Sequence, residues 1–244
     1  MKILFIGNSF SVDANTYLFE IAKNAGVDLE TLNLYIGGCS LEMHAKHVQD
    51  NDYAYTMQYN GKFLPGSCTI TQALEYREWD YVSIQQASQF SGMYETYHPY
   101  IDKIIDKIKE ICPNTKIVFH KTWAYEVGSE HPGFSNYGSS QLKMHKAICR
   151  VAEKITEEIK PFKVVDCGGV IEKLREYDLF NVERGGVSLC RDGFHLSLDY
   201  GRYALALTWF YALGMGEIDG VSVPFENADN CKINLIKKVV KETV

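Results

Sequence analysis

The 244-residue sequence has little of several features that define other classes of protein. It has no hydrophobic run long enough to cross a membrane, and the apolar run within residues 1–7 is too short for a signal peptide. Acidic residues outnumber basic ones by 31 to 25, so the clustered positive charge that nucleic-acid binding needs is lacking. We therefore expect a cytoplasmic protein that binds neither nucleic acid nor membranes.

Motifs for metals, disulfides and nucleotides are also scarce. The seven cysteines are odd in number and include no CxxC pair, so we interpret them as reduced thiols. His44 and His47 have a spacing that can chelate a metal, but no Asp or Cys close by completes a site, and a solvated helix face is favoured. There is no GxGxxG or P-loop motif, which argues against a nucleotide binder. We expect no metal and no cofactor.

What the sequence does contain is an alternation of short apolar runs with longer helical patterns. Apolar runs predict five buried strands, at residues 3–6, 32–36, 81–84, 116–120 and 162–165. Helical periodicity predicts helices at residues 13–24, from 40 onwards, and at 71–77, 100–111, 140–159, 170–177 and 199–213. This alternation predicts one α/β domain over residues 1–244, a three-layer α/β/α sandwich with a central parallel sheet of about five strands.

Residues 52–66 interrupt this alternation and are predicted to be an insertion. The tetrapeptide Tyr59-Asn60-Gly61-Lys62 has the Asn-Gly pair typical of a two-residue hairpin turn. Tyr55, Tyr59 and Phe63 flank the turn, and they would form either a lid over a site or the small core of the hairpin itself.

Two short motifs carry residues that could do chemistry together. Ser9 follows the first strand directly, at a turn ahead of a helix, where backbone N–H groups and the helix dipole favour negative charge. A serine nucleophile needs an adjacent base. Asp192 and His195 lie three positions apart near the end of the chain, a spacing that lets the carboxylate orient the imidazole. Alone, the Ser9 motif is more typical of an ordinary turn or cap, and the Asp192–His195 motif would suit an ordinary capped turn equally well.

Taken together, these motifs resemble the blocks of the SGNH (GDSL-like) hydrolase superfamily, in order and over essentially the whole chain. The blocks here are Gly7-Asn8-Ser9, Gly38, Ala87-Ser88-Gln89 and Asp192 to His195. Asn8 stands where the family usually has Asp, and Ala87 and Gln89 stand where it usually has Gly and Asn. The sequence, with its first block Gly-Asn-Ser-Phe-Ser, is therefore similar to a divergent bacterial branch of that superfamily, with its flavodoxin-like fold.

The resemblance implies a role for each block. Ser9, His195 and Asp192 would form a catalytic triad, and the backbone N–H groups of Ser9 and Gly38 would form part of an oxyanion hole. The side-chain donor of that hole would be Gln89, with Gln86 as the second choice.

Reactive groups in parallel α/β sheets gather at the carboxyl ends of the strands, and other residues predicted at that edge of the sheet are candidate substrate contacts. Asn8 belongs to the first block, and His120 ends the fourth strand, where it would either contact a substrate or be buried and hydrogen-bonded. Trp123 and Tyr125 follow in the next loop and would either stack on a sugar ring or pack the loop.

The resemblance implies a serine esterase that removes a small acyl group, most simply acetyl, from a carbohydrate through an acyl-enzyme. Two other functions use the same fold. One is a carbohydrate-binding protein without turnover, and the other is an acyltransferase with the same triad.

Overall fold

Seven strands form one sheet at the centre of the computed structural model, which describes all 244 residues. They are β1 (Lys2–Gly7), β2 (Glu30–Tyr35), β3 (Tyr55–Tyr59), β4 (Lys62–Cys68), β5 (Tyr81–Ile84), β6 (Lys116–Lys121) and β7 (Lys163–Asp166). Their order is β4-β3-β2-β1-β5-β6-β7, and all pairs are parallel except β2–β3 and β3–β4. The predicted fold class is confirmed, and the five predicted strands are the five parallel ones.

Nine helices cover the two faces of the sheet. They are α1 (Ser9–Asn15), α2 (Leu18–Asn24), α3 (Leu41–Asp50), α4 (Ile70–Glu75), α5 (Tyr100–Ile111), α6 (Gln141–Ile159), α7 (Cys167–Arg175), α8 (Tyr200–Ala212) and α9 (Asn230–Thr243). Because successive side chains of a strand point to opposite faces, Ile3 and Phe5 pack under α1, α2, α8 and α9. Leu4 and Ile6 pack under α3, α4 and α5 on the other face. Both faces of β1 are therefore buried.

The predicted hairpin exists, but it is part of the sheet. Asn60 and Gly61 both have positive φ (47° and 79°), as a tight hairpin turn requires, and β3 pairs with the edge of β2. The sheet therefore has two more strands than expected. Tyr55 is neither a lid nor the core of an isolated hairpin, because it is buried in the main core. Phe63 is 54% exposed and packs edge-on against Tyr35 at the end of β2.

Two helical segments differ from their predictions. The helix predicted at residues 13–24 begins earlier, at Ser9, and is divided into α1 and α2 at Thr16 and Tyr17. Helix α9 was not predicted at all, although Ile233, Ile236, Val239 and Val240 give it a buried stripe. That stripe packs on α7 and α8 and completes one helical layer.

The strand order places a crevice beside β1. The chain leaves β1 towards β2 on one side and later returns to β5 on the other, which is the flavodoxin-like order 2-1-3-4-5 for the five parallel strands. In open α/β sheets, ligands bind at the carboxyl ends of the strands where the order reverses. In this protein that point lies between β1 and its two neighbours, directly above Ser9.

The helices and thiols have two further properties. None of the helices combines the length and the apolar character that crossing a membrane would require. All seven cysteines are unpaired.

Candidate active site

Ser9 is the first residue of α1, immediately after β1. Asn8 caps this helix, since its side-chain oxygen accepts a hydrogen bond from the backbone N–H of Phe10 (3.0 Å). The hydroxyl of Ser9 therefore does not cap the helix, and it lies half-buried at the positive end of the helix dipole.

The loop before α8 brings a histidine and an aspartate to this serine. His195 Nε2 lies 2.8 Å from Ser9 Oγ, and His195 Nδ1 lies 2.7 Å from Asp192 Oδ2. Because the carboxylate accepts a hydrogen bond from Nδ1–H, Nε2 is left unprotonated and can accept a hydrogen bond from the serine hydroxyl. The structure thus brings together all three predicted triad residues, although Ser9 and His195 are 186 positions apart in the sequence.

Hydrogen bonds keep Asp192 ionised. Burial raises the pKa of its carboxyl, but hydrogen bonds from the His195 ring and from the backbone N–H groups of His195 and Phe194 outweigh burial and leave the pKa below its usual value. Asp192 Oδ1 accepts both backbone N–H groups, while Oδ2 faces the ring. The same carboxylate therefore shapes the turn and orients the imidazole.

Trp123 joins the two halves of this arrangement. Its ring stacks on Phe10, the residue after Ser9, with centroids 3.9 Å apart, and its Nε1–H donates to the carbonyl oxygen of Phe194 (2.8 Å). A single buried indole thus contacts both the helix of the serine and the loop of the histidine.

Asp13 makes a second connection between the same elements. This fully buried carboxylate lies one turn after Ser9 on α1. It accepts the backbone N–H of Leu196 (2.9 Å) and hydrogen bonds from Arg191 (3.1 Å) and Arg202 (2.9 Å). The residues on both sides of the Asp192–His195 turn are therefore tied to the helix that carries the nucleophile.

Asn8, which stands where the family usually has Asp, connects β1 to the residues that follow β5 and β2. Its Oδ1 also accepts from Gln85 Nε2 (2.9 Å), and its Nδ2 donates to the carbonyl oxygen of Cys39 (3.1 Å). A carboxylate at position 8 would have no donor for that carbonyl, so the amide is what this network requires. Asn8 also lines the pocket described next.

A small pocket of about 260 Å³ opens at Ser9. Its lining combines the four predicted blocks with the end of β2 and the loop between β6 and α6: Asn8, Ser9, Tyr35, Gly37, Gly38, Ser88, Gln89, His131, Phe194 and His195. Gly38 adopts a positive φ of 63°, which glycine tolerates without strain. The backbone at Gly38 and the side chain of Gln89 thus border the pocket from opposite sides of β1.

The three neighbouring glutamines have different surroundings. Gln86, the second choice for the oxyanion hole, is buried away from the pocket, where its oxygen accepts from the Leu41 and Ala87 N–H groups and its nitrogen donates to Thr96. That choice was wrong, because every polar atom of the amide is already occupied. Gln85 is committed to Asn8. Gln89 lines the pocket, and its side-chain amide has no hydrogen-bond partner within the protein.

The structure favours the packing alternative for the candidate contacts after β6. Trp123 and Tyr125 are fully buried and do not line the pocket, so neither can stack on a sugar ring. His120 is also buried, and burial lowers its pKa to about 3. Both of its ring nitrogens lack a hydrogen-bond partner, unlike the expected buried and bonded histidine, and its ring packs against Trp209 instead. None of the three is placed to contact a substrate.

Sequence reasoning missed three residues that do line the pocket: Tyr35, His131 and Phe194. Phe194 was visible as the residue between the glycine and histidine of the Asp192 motif. Tyr35 ends β2, at the sheet edge where reactive groups were expected. His131 lies in a long loop and gave no local signal.

The two histidines considered for metal binding have other partners. His44 is buried and shares a hydrogen bond with the Tyr55 hydroxyl (2.9 Å), whereas His47 bonds Asp52 (2.8 Å). No group of three or more His, Cys, Asp or Glu side chains is arranged to hold a metal.

Comparison with other proteins places this geometry in a family. The model of the family described as domain of unknown function DUF4886 matches residues 2–241. No curated protein matches the sequence significantly. A crystal structure of a DUF4886 family protein from Bacteroides uniformis is 34% identical, covers 99% of this chain and 93% of its own, and superposes with a TM-score of 0.91.

More distant structures share the fold. A candidate SGNH hydrolase from Slackia heliotrinireducens is 21% identical over 88% of this chain and 99% of its own, with a TM-score of 0.59. An acetylxylan esterase from Geobacillus stearothermophilus is 15% identical over 87% of this chain and 94% of its own, with a TM-score of 0.58. These likenesses confirm the predicted resemblance to SGNH hydrolases at the level of the fold. With its match to the family model and its 34% identical relative, the chain belongs to the DUF4886 family and has the α/β/α fold of SGNH hydrolases.

Proposed function

We propose that this protein is a serine hydrolase that cleaves esters of short acyl groups, with Ser9 as nucleophile, His195 as general base and Asp192 as its partner. The observation that carries the proposal is the unbroken hydrogen-bond chain from Asp192 through His195 to Ser9, which ends at an open pocket. A serine becomes nucleophilic when an oriented base accepts its proton, and both conditions are met by these distances.

The reaction would proceed by acyl transfer. His195 Nε2 takes the Ser9 proton as Oγ attacks the ester carbonyl, and the backbone N–H groups of Ser9 and Gly38 with the Gln89 amide stabilise the oxyanion. His195 then protonates the leaving alcohol oxygen as the C–O bond breaks. Water, deprotonated by His195, attacks the acyl-enzyme and releases the acid and free Ser9.

The pocket supports a small acyl group on a polar alcohol. Its volume of about 260 Å³ is below the range of typical drug-sized ligand sites, and most of its lining residues have polar side chains. We therefore propose an acetyl ester of a carbohydrate as the substrate class. The acetylxylan esterase from Geobacillus stearothermophilus shares the fold and is an example of an esterase built on it.

The two alternative functions make different predictions. A carbohydrate-binding protein without turnover has no use for the 2.8 Å contact between Ser9 and His195, so this contact favours catalysis. An acyltransferase would use the same chain of residues. Product analysis in the presence of competing alcohols distinguishes it, because a transferase forms a new ester where a hydrolase forms the free acid.

Fluorophosphonate labelling tests the proposed function directly. We expect the wild-type protein to react with one equivalent of a fluorophosphonate probe and to hydrolyse 4-nitrophenyl acetate. Mass spectrometry of the digested protein should locate the label on Ser9, since that hydroxyl alone contacts a histidine paired with a carboxylate. A native protein that neither reacts with the probe nor hydrolyses the ester would contradict catalysis and favour a binding function.

Gln89 and Gln86 should respond differently to replacement by alanine. Gln89→Ala should lower kcat for an aryl acetate by roughly 10² to 10³ with little change in KM, because an oxyanion donor acts mainly in the transition state. Gln86→Ala is the matched control and should instead lower the melting temperature, since it leaves the Leu41 N–H and the Thr96 carbonyl oxygen without partners. If Gln89→Ala retained its kcat, the oxyanion hole would consist of backbone donors alone.

A further inference from the structure

His131 is a pocket residue to which the triad chemistry assigns no task. It lies in the loop between β6 and α6 and lines the same pocket as Ser9 and His195. Its Nδ1 accepts the backbone N–H of Gly133 (3.0 Å), and so caps the short 3-10 turn that begins at Pro132. The Nε2 atom has no partner within the protein and is not buried.

This arrangement determines where the ring proton lies. A backbone N–H can only donate, so Nδ1 must be the unprotonated nitrogen, and the proton of the neutral ring is assigned to Nε2. Burial lowers the pKa of His131, and the nearby His195 ring lowers it further, against a smaller opposite effect of Asp192. His131 is therefore neutral at neutral pH and presents Nε2–H as a hydrogen-bond donor.

Packing fixes the ring on one wall of the pocket. The Phe194 and Tyr125 rings each lie with their centroids 4.7 Å from that of His131. The adjacent Gly133 is close against Gln89, where an added Cβ would come within 2.4 Å of the Gln89 Cβ. His131 thus packs against Phe194 while its loop packs against Gln89, the residue that follows β5, whereas Gly38 follows β2 on the other side of β1.

This wall is also the side of His195, the group that would protonate the leaving oxygen. A donor beside it would therefore face the alcohol part of an ester. We propose that His131 is a specificity-determining residue whose Nε2–H donates a hydrogen bond to a hydroxyl oxygen next to the ester, so that the preferred substrates are short-chain esters of polyols. This inference rests on the proposed esterase function and adds the group that selects the alcohol.

Two esters that differ by one hydroxyl test it: the monoacetate of 1,2-cyclohexanediol and cyclohexyl acetate. The wild-type protein should prefer the diol ester in kcat/KM by roughly tenfold, the worth of one good hydrogen bond. His131→Asn should reduce this ratio to near one. Asparagine is a favoured capping residue that can still accept the Gly133 N–H, but it is too short to reach the alcohol. The matched control His47→Asn, on α3 away from the pocket, should keep the wild-type ratio.

The outcomes separate this inference from the proposed function. A wild-type protein that hydrolyses both acetates without preference, or a His131→Asn variant that keeps the preference, would overturn the role of His131 and leave the esterase intact. Absence of hydrolysis and of fluorophosphonate labelling in the wild-type protein would overturn both. His131→Ala removes both the donor and the cap. A melting temperature that is lowered in His131→Ala but not in His131→Asn would show that the cap stabilises the loop and that substrate selection is a separate role.

Discussion

Replacing Ser9 by alanine should abolish turnover of 4-nitrophenyl acetate, lowering kcat by about 10⁴-fold or more, with the melting temperature near that of the wild-type protein. The large effect follows because the acyl-enzyme cannot form without the hydroxyl, and members of a triad act as a unit. The small effect on stability follows because Asn8, and not Ser9, caps α1. Initial rates and thermal melting of the purified variant measure the two quantities.

Ser11→Ala is the matched control for this prediction. Ser11 lies on the same helix, but its buried hydroxyl donates to either the Asn8 carbonyl oxygen (2.7 Å) or the Asn33 side-chain oxygen (2.8 Å) and does not contact His195. This variant should lose some stability and still be labelled by fluorophosphonate at Ser9. Full labelling of Ser9→Ala at another serine would show that the nucleophile has been misassigned.

Asp13→Asn should produce the second large effect, although Asp13 does not line the pocket. It should lower the free energy of unfolding by about 3–5 kcal/mol, the usual cost of breaking a buried ion pair from one side. The variant would leave the charges of Arg191 and Arg202 without their buried partner, and it would place an amide against the Leu196 N–H. Urea or guanidinium unfolding measures the change.

The same variant should also lower kcat, by roughly tenfold or more, at temperatures well below its melting temperature. Leu196 follows His195, so a displaced Leu196 backbone would move the imidazole away from Ser9, and misplacement of about 1 Å can cost about 10²-fold. Asp178→Asn, which breaks an exposed ion pair with Arg184, is the control and should change neither quantity appreciably. An Asp13→Asn variant as stable and active as the wild-type protein would rule out the connection proposed here.

Local sequence patterns predicted the parallel strands and the hairpin turn correctly. The five parallel strands are short, mainly apolar runs, and in β1, β2, β5 and β6 the run is buried on both faces, so the pattern is visible without knowledge of the neighbouring strands. The hairpin turn at Asn60-Gly61 was equally local. Its attachment to β2 was not, because an antiparallel strand can pair with any free edge that the tertiary structure offers.

The boundaries of α1 and α2 show the limit of such patterns. Residues 13–24 have continuous helical periodicity, yet the helix is interrupted at Thr16 and Tyr17. The hydroxyl of Tyr17 donates to the carbonyl oxygen of Leu198, 181 positions away. A contact of that kind leaves no trace in local periodicity. The position of α9 is also decided by distant contacts, because its apolar stripe is buried only where α7 and α8 pack against it.

At the candidate site, sequence reasoning predicted a contact correctly where that contact depends on short spacing. Asp192 and His195 are three positions apart, and the turn between them brings carboxylate and ring to 2.7 Å. It left open whether Trp123 and Tyr125 contact a substrate or pack the loop, since position at a strand end does not tell whether a side chain turns into the core or into the crevice. Gln86 was excluded for a similar reason, because its amide partners come from distant segments.

The sequence by itself thus determined the fold class, the position of Ser9 after β1 and the local pair of Asp192 and His195, because each depends on burial periodicity or on spacing within a few residues. Only the tertiary structure decided which side chains meet. It brought His195 to Ser9 and Asp13 to Leu196, left Gln89 free at the pocket while Gln86 was bound elsewhere, and placed His131 beside the triad. Those outcomes depend on strand order and on the pairing of polar groups across the core, which act between residues far apart along the chain.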